Sequence, residues 1–344
     1  MKKLLYLTLF ILFSAPLAAQ NHAGDSTHRM ERRPRFAFDA AQPFIHDPVM
    51  AREGGVWHLF YTGMGIGHYI STDGKVWAFA PSVFKQGPQW AVEAIPGFRG
   101  HIWAPDVLYY RGKYHLFYSC SAFARNTSAI GHAVSSTLNP DSSLYGWHDT
   151  GLLLQSVPSR DDWNAIDPNV VVDEEGVPWM CFGSFWDGIK MVRLNETLDS
   201  VAQPQEWVHL ARRMRVTDFG AGSPGSNAVE APFIFKHGGY YYLFVSFDYC
   251  CRGLKSDYKI AVGRSRKVTG PYVDRANRPM SEGGGTIIAT GNDRWAGVGH
   301  CAVYHVDDSD VLVAHGYDKK DEGQSKLIMV TLGWDSEEWP VVKL

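Results

Sequence analysis

Short runs dense in apolar and aromatic residues punctuate the chain, each bounded by Gly, Asp, Asn or Pro: Val56 to Tyr61, Lys113 to Ser119, Val177 to Phe182, Tyr240 to Ser246 and Val311 to His315. Runs of this length and composition, closed by turn formers, predict β-strands. Anchored on Leu59, Leu116, Met180, Leu243 and Val311, they recur at steps of 57, 64, 63 and 68 residues. A unit repeating about every 60 residues points to propeller blades. A turn precedes each anchor: Gly54-Gly55, Gly112, Gly176, Gly238-Gly239, and Asp308-Ser309-Asp310 in the fifth unit. Capped amphipathic helices are nearly absent between them, as up-and-down sheets around an axis require. The expected fold is all-β, a five-bladed β-propeller.

Ten to thirteen residues before each anchor, a polar residue sits in a Pro- or Gly-marked tripeptide: Asp47, Asp106, Asp167, Glu230 and His300. If each lies on the innermost strand of its blade, four carboxylates and one imidazole face the central channel. A single Asp-Pro or Pro-Asp would be read as the start of a turn. Five in phase argue for a shared location.

The first residues add a different pattern. Lys2 and Lys3 precede an uncharged apolar run from Leu4 to Phe13, followed by small residues to Ala19. This is the signature of a secretory signal peptide over residues 1–19. The run is about ten residues, half of a membrane span, and no second one follows. Residues 20–35 read as a polar leader and 36–344 as one propeller domain. The mature chain is expected to be secreted or periplasmic, off the membrane, and monomeric.

Charge narrows the partners. Loss of the two signal lysines takes the formal net charge from -3 to about -5, with both signs interspersed, so nucleic acid is not an expected partner. The five cysteines lack metal-site spacing. They read mainly as small buried hydrophobes, with an adjacent Cys250–Cys251 disulfide as the alternative.

Carboxylates crowded into one channel repel each other and lose hydration, so at least one holds a proton near neutral pH. A protonated acid beside an ionised carboxylate is the equipment of glycoside hydrolysis. No Ser-His-Asp, Walker or Rossmann pattern competes, and no organic cofactor is implied. Trp103, Phe123, Trp163, Phe185, Trp186 and Tyr249 lie near the hub positions. Flat rings suit the apolar faces of sugars, although aromatics also fill the space between blades; Trp103 is the first choice for a sugar platform.

Several long strings then resemble the endo-acting arabinanases of glycoside hydrolase family 43: His46-Asp47-Pro48, Trp103-Ala104-Pro105-Asp106, Ser128-Ala129-Ile130-Gly131, Asn164-Ala165-Ile166-Asp167-Pro168-Asn169, Phe182-Gly183-Ser184-Phe185-Trp186, and the run from Glu230 to Gly253. The resemblance spans about Phe44 to Asp318. It implies cleavage of internal α-1,5 linkages of arabinan with inversion. Asp47 is then the general base, Glu230 the general acid, and Asp167 the residue that orients the acid and tunes its pKa. Trp103, Phe123, Asn164, Ser184 and Phe185 are the expected substrate contacts. The resemblance also implies a metal ion, calcium foremost, with His300 among its contacts; Cys301 departs from the small or amide residue common after this His. Asp106 receives no chemical role and is expected to hold loops or channel hydrogen bonds.

Three alternatives stay open. An exo-acting arabinofuranosidase or xylosidase of the same family would keep the acids and block one end of the cleft. A non-catalytic glycan-binding propeller would use them structurally. A sialidase-like enzyme would need an arginine triad, which the hub tripeptides lack.

Overall fold

The computed structural model describes residues 38–213 and 225–344. The signal peptide and polar leader expected over residues 1–35 lie outside the described residues. Strands dominate. The helical content among the described residues is one short α-helix, Gln89–Ala94, and two 3-10 turns, and no helix is long and apolar enough to cross a membrane.

The strands form the five-bladed β-propeller that the repeat predicts. Blade one is Val49–Glu53, Val56–Tyr61, Gly67–Ser71 and Ala78–Phe79. Blade two runs His101–Tyr110, Lys113–Cys120, Ser128–Ser135 and His148–Ser156, with the two-residue strand Gly63–Met64 paired to its start. Blade three is Asn169–Val172, Pro178–Phe182, Ile189–Arg193 and Trp207–Ala211; blade four is Val229–His237, Tyr240–Phe247, Lys259–Ser265 and Thr286–Ala289. Blade five has Trp295–Val306, Ser309–Asp318 and Gln324–Thr331. Its fourth position is filled from the other end of the chain by an isolated bridge in place of a full strand. Phe44 pairs with Lys326, and the Ile45 amide donates to the Ser325 carbonyl at 3.2 Å, so the N-terminal segment closes the ring.

The second strand of each blade is mostly apolar along its middle because neighbouring blades cover both of its faces. Leu59, Leu116, Met180, Leu243 and Leu312 are all fully buried. Such strands read as continuous hydrophobic runs with no alternation.

Cross-strand pairing corrects the phase of the repeat. Met50 faces Leu59, Val107 faces Leu116, Val170 faces Met180, Ile234 faces Leu243, and Val303 faces Leu312. The fifth anchor is therefore Leu312, one residue beyond Val311. Three residues before these inner partners stand Asp47, Ala104, Asp167, Ala231 and His300, with φ of 53°, 41°, 58°, 55° and 50°. One left-handed residue thus marks the inner edge of every blade, at register shifts in blades two, four and five. Four of the five precede a proline, which needs no ladder hydrogen bond and tolerates the bulge. Glu230 and Asp106 are out of this phase, one residue before Ala231 and two after Ala104.

Candidate active site

A non-glycine residue at positive φ costs of order 1–3 kcal/mol and persists only where its surroundings over-determine it. Here the over-determination comes from the amide of the left-handed residue. The Asp47 amide donates to His315 Nδ1 at 3.2 Å, Ala104 to Thr62 Oγ1 at 2.8 Å, Asp167 to Ser119 Oγ at 3.0 Å, and His300 to Ser246 Oγ at 2.8 Å. Each acceptor stands three residues past the anchor of the preceding blade. In blade three that position is Gly183, which has no side chain to offer. The Ala231 amide donates to Asp167 Oδ2 at 3.0 Å. A side chain at Gly183 is excluded by its φ of 130° and by the Gly188 carbonyl, 2.4 Å from where a Cβ would sit.

Asp47 is held on all sides. Its Oδ1 meets His46 Nδ1 and His300 Nδ1, each at 2.9 Å, and its Oδ2 accepts from Thr62 Oγ1 at 2.5 Å. Burial alone would raise its pKa; the two imidazoles outweigh burial and hold the carboxyl well below its usual range. His300 moves the other way. Burial opposes its charge, yet Asp47, Asp167 and Glu230 together raise it to about 9, so the ring is an imidazolium at neutral pH. Burial drives His315 well below the usual histidine range, which leaves Nδ1 free to accept the Asp47 amide.

Glu230 lies in a different setting. Ser184 Oγ donates to its Oε2 at 2.7 Å and the Tyr258 hydroxyl to its Oε1 at 2.8 Å. Burial raises its pKa, against those two hydrogen bonds and His300 and with the help of Asp47. Burial also raises Asp167; His300 opposes it, and Glu230 and Asp47 add to it. Two buried carboxylates that repel each other keep a proton between them to higher pH than either would alone. Asp47, Asp167, Glu230, His300 and Ser184 thus form one electrostatic cluster on the channel axis, with one carboxylate firmly ionised and a pair that retains a proton.

Asp106 takes part in none of this. Its Oδ2 accepts from the Val170 amide at 2.7 Å and from Asn169 Nδ2 at 3.2 Å, while Asn169 Oδ1 accepts from the Ile234 amide at 2.8 Å. It stitches blades two, three and four along the channel wall, and burial raises its pKa to about 7.

Among the expected substrate contacts, Trp103 is half-buried and holds the same place before Ala104 as Glu230 does before Ala231. Its indole donates to His101 Nδ1 at 2.9 Å. Phe185 is half-buried, its ring 5.6 Å from Tyr249. Phe123 is 77% exposed, and among the described residues no other ring packs on it. Asn164 is buried in the loop before Asp167, with its Oδ1 lacking a hydrogen-bond partner. Neither Phe123 nor Asn164 bonds to the carboxylates.

Comparison with known proteins decides the family. The sequence profile of Glycosyl hydrolases family 43 matches residues 41–340. The chain belongs to this family. It is 48% identical over 306 residues to an extracellular exo-α-(1→5)-L-arabinofuranosidase of Cellvibrio japonicus, covering 89% of this chain and 88% of that one. It is 41% identical over 305 residues to an extracellular endo-α-(1→5)-L-arabinanase of Bacillus subtilis, covering 88% of each. A Cellvibrio cellulosa α-L-arabinanase solved with arabinohexaose superposes with a TM-score of 0.86 at 48% identity, over 88% of this chain and 96% of that one.

Four residues of this family 43 site carried no role in the sequence reading: His46, Thr62, Tyr258 and His315. His46 adjoins Asp47, and His315 ends an anchor run, so both were within reach of local patterns. Tyr258 had no local signal. It meets Glu230 from the loop just before the strand Lys259–Ser265, over Gly299, where any Cβ would fall 2.1 Å from its ring.

Proposed function

We propose that the chain hydrolyses α-1,5-L-arabinofuranosidic linkages of arabinan, cutting internal linkages with inversion, outside the cell. The observation that carries this reading is the split in carboxylate behaviour: Asp47 is pinned ionised between two imidazoles while Glu230 and Asp167 retain a proton. Titratable groups pushed apart by their environments identify the acid and the base.

In this reading Glu230 protonates the glycosidic oxygen as the bond to the anomeric carbon breaks. Asp47 takes a proton from the water that attacks that carbon from the opposite face, so no covalent sugar intermediate forms. Because Asp47 is held below the usual carboxylate range and Glu230 is raised above it, base and acid are in their working forms together between the two. Asp167, bonded to the amide of Ala231, holds the strand beside Glu230; burial and the neighbouring Glu230 raise it to about 8, so the two carboxyls together keep a proton at the site. Ser184 and Tyr258 fix the Glu230 carboxyl, and Trp103 and Phe185 offer faces to the sugar.

A cation at His300, calcium foremost, remains part of the proposal, and its fit is narrow. Nδ1 of His300 is taken by Asp47, and its other nitrogen carries a proton that a cation would have to displace, whereas calcium takes six to eight oxygens. Among the described residues no cluster of three metal-competent side chains includes His300. Water would supply most ligands, and no step above uses the ion.

Internal cleavage is supported by the Bacillus subtilis relative and by the family strings. Exo action is the second reading, favoured by the name of the Cellvibrio japonicus relative. Export is supported by the word extracellular in both names and by the expected signal peptide. The test is reducing-sugar release from linear arabinan with a product profile over time, for wild type and Glu230→Gln. An endo enzyme yields a ladder of oligosaccharides and an early fall in viscosity; an exo enzyme yields one short product from the start. Glu230→Gln should lose about 10²–10⁴ in kcat. Wild-type protein that releases no sugar, yet binds arabinan, makes the propeller a glycan-binding module.

A further inference from the structure

Residues 249–252 run along the cluster from the Glu230 side to the Asp47 side. Ser184, which donates to Glu230, is followed by Phe185, whose ring lies against Tyr249. The next two residues, Cys250 and Cys251, are joined by a disulfide between chain neighbours. Cys251 Sγ lies 3.8 Å from Nε2 of His46, the ring whose other nitrogen holds Asp47. The Cys251 amide donates to the Tyr317 hydroxyl at 2.7 Å, and that hydroxyl also meets His46 Nε2 at 2.8 Å.

Two features argue that this disulfide is not there for stability. A crosslink between adjacent residues closes almost no loop, so it removes little entropy from the unfolded chain. The pair is also at the surface: Cys250 is half-buried and Cys251 exposed, whereas the three free cysteines are buried. What the bond does supply is a stiff segment with a polarisable apolar sulfur face, one ring away from Asp47.

We propose that the Cys250–Cys251 disulfide is a sugar-contacting element of the site, a rigid apolar ledge beside Asp47 that receives the C–H face of the furanose on that side of the cleaved bond. This rests on the reading of the site as an arabinan hydrolase. Ordering the ledge in advance spares the substrate the entropy of ordering the loop.

The experiment compares wild type with the double variant Cys250→Ser, Cys251→Ser on linear arabinan, with thermal melting as the check on fold. The expected result is a melting temperature close to wild type and a KM raised about fivefold or more, with kcat lowered less than about twofold, the pattern of lost ground-state binding. A well-folded variant with wild-type KM overturns the ledge. So does a variant whose whole loss lies in kcat. Should the variant not fold, wild type treated with a phosphine reductant decides: with one water the disulfide opens to two thiols, the water's oxygen leaving on the phosphine as its oxide and its two protons on the thiols, and KM must rise and recover on reoxidation. Unchanged KM in the reduced, folded enzyme also overturns it. Wild type without activity on arabinan instead refutes the functional reading, before the variants are compared.

Discussion

The amide of Ala231 donates to the Asp167 carboxylate across 3.0 Å, where the other blades use a hydroxyl or an imidazole of the preceding blade. One missing side chain, at Gly183, explains the exception. It brings a buried titratable carboxyl to the residue adjoining Glu230, and so joins a backbone requirement of the propeller to the ionisation of the candidate acid.

Asp167→Asn keeps an oxygen for the Ala231 amide and takes away one of the two carboxyls that share the retained proton. Glu230 then loses a repulsive neighbour and its pKa falls. The alkaline limb of the kcat profile should move to lower pH by about one unit, with a lower rate at the optimum. An unchanged profile makes Asp167 a structural cap alone.

Asp47→Asn should reduce turnover by about 10²–10⁴, as expected for loss of a general base. It also removes the first of the charges that raise His300 to about 9. The His300 ring should therefore titrate at lower pH, followed by NMR of the imidazole. A ring that still titrates near 9 would show that Asp167 and Glu230 alone sustain its charge.

Tyr258→Phe deletes the hydrogen bond to Glu230 Oε1, one of the two that favour the ionised form. Its loss raises the pKa of Glu230, so the alkaline limb should move to higher pH, opposite in sign to Asp167→Asn. The less firmly held acid should cost roughly tenfold in kcat. A shift in the same direction as Asp167→Asn contradicts the assignment.

Two buried histidine pairs oppose folding at acid pH. His58 Nδ1 meets His68 Nε2 at 3.0 Å in blade one, and His115 Nδ1 meets His132 Nε2 at 3.0 Å in blade two. Burial lowers His58 and His132 to about 4 and His68 to about 3. Their folded pKa values lie below the unfolded value near 6.5, so the unfolded chain binds more protons between them. Stability is therefore present in full above about pH 6.5 and is lost as pH falls toward 4. Asp106, Asp167 and Glu230, raised by burial, contribute with the opposite sign in this window, so the check is a difference: melting temperature should fall less, or rise more, between about pH 6.5 and 4 in His68→Gln than in wild type.

The chemistry was legible where local composition carried it. Asp47, Asp167, Glu230 and His300 stand in short Pro- or Gly-marked strings that can be read residue by residue. Their register was not legible: Glu230 and Asp106 looked equivalent to the other three, yet pairing puts Ala231 and Ala104 in that role. An alanine in a left-handed bulge has no chemical signature, and its φ is set by contacts with the neighbouring blade.

By itself the sequence determined the strands, their number and their period, because burial on both faces demands continuous apolar runs and every blade must repeat them. It also determined which acids were available. Only the tertiary structure decided which acid is charged. That depends on imidazoles, hydroxyls and amides brought from other blades to within about 3 Å, and Coulomb energy in a buried site is governed by distances that chain order does not contain.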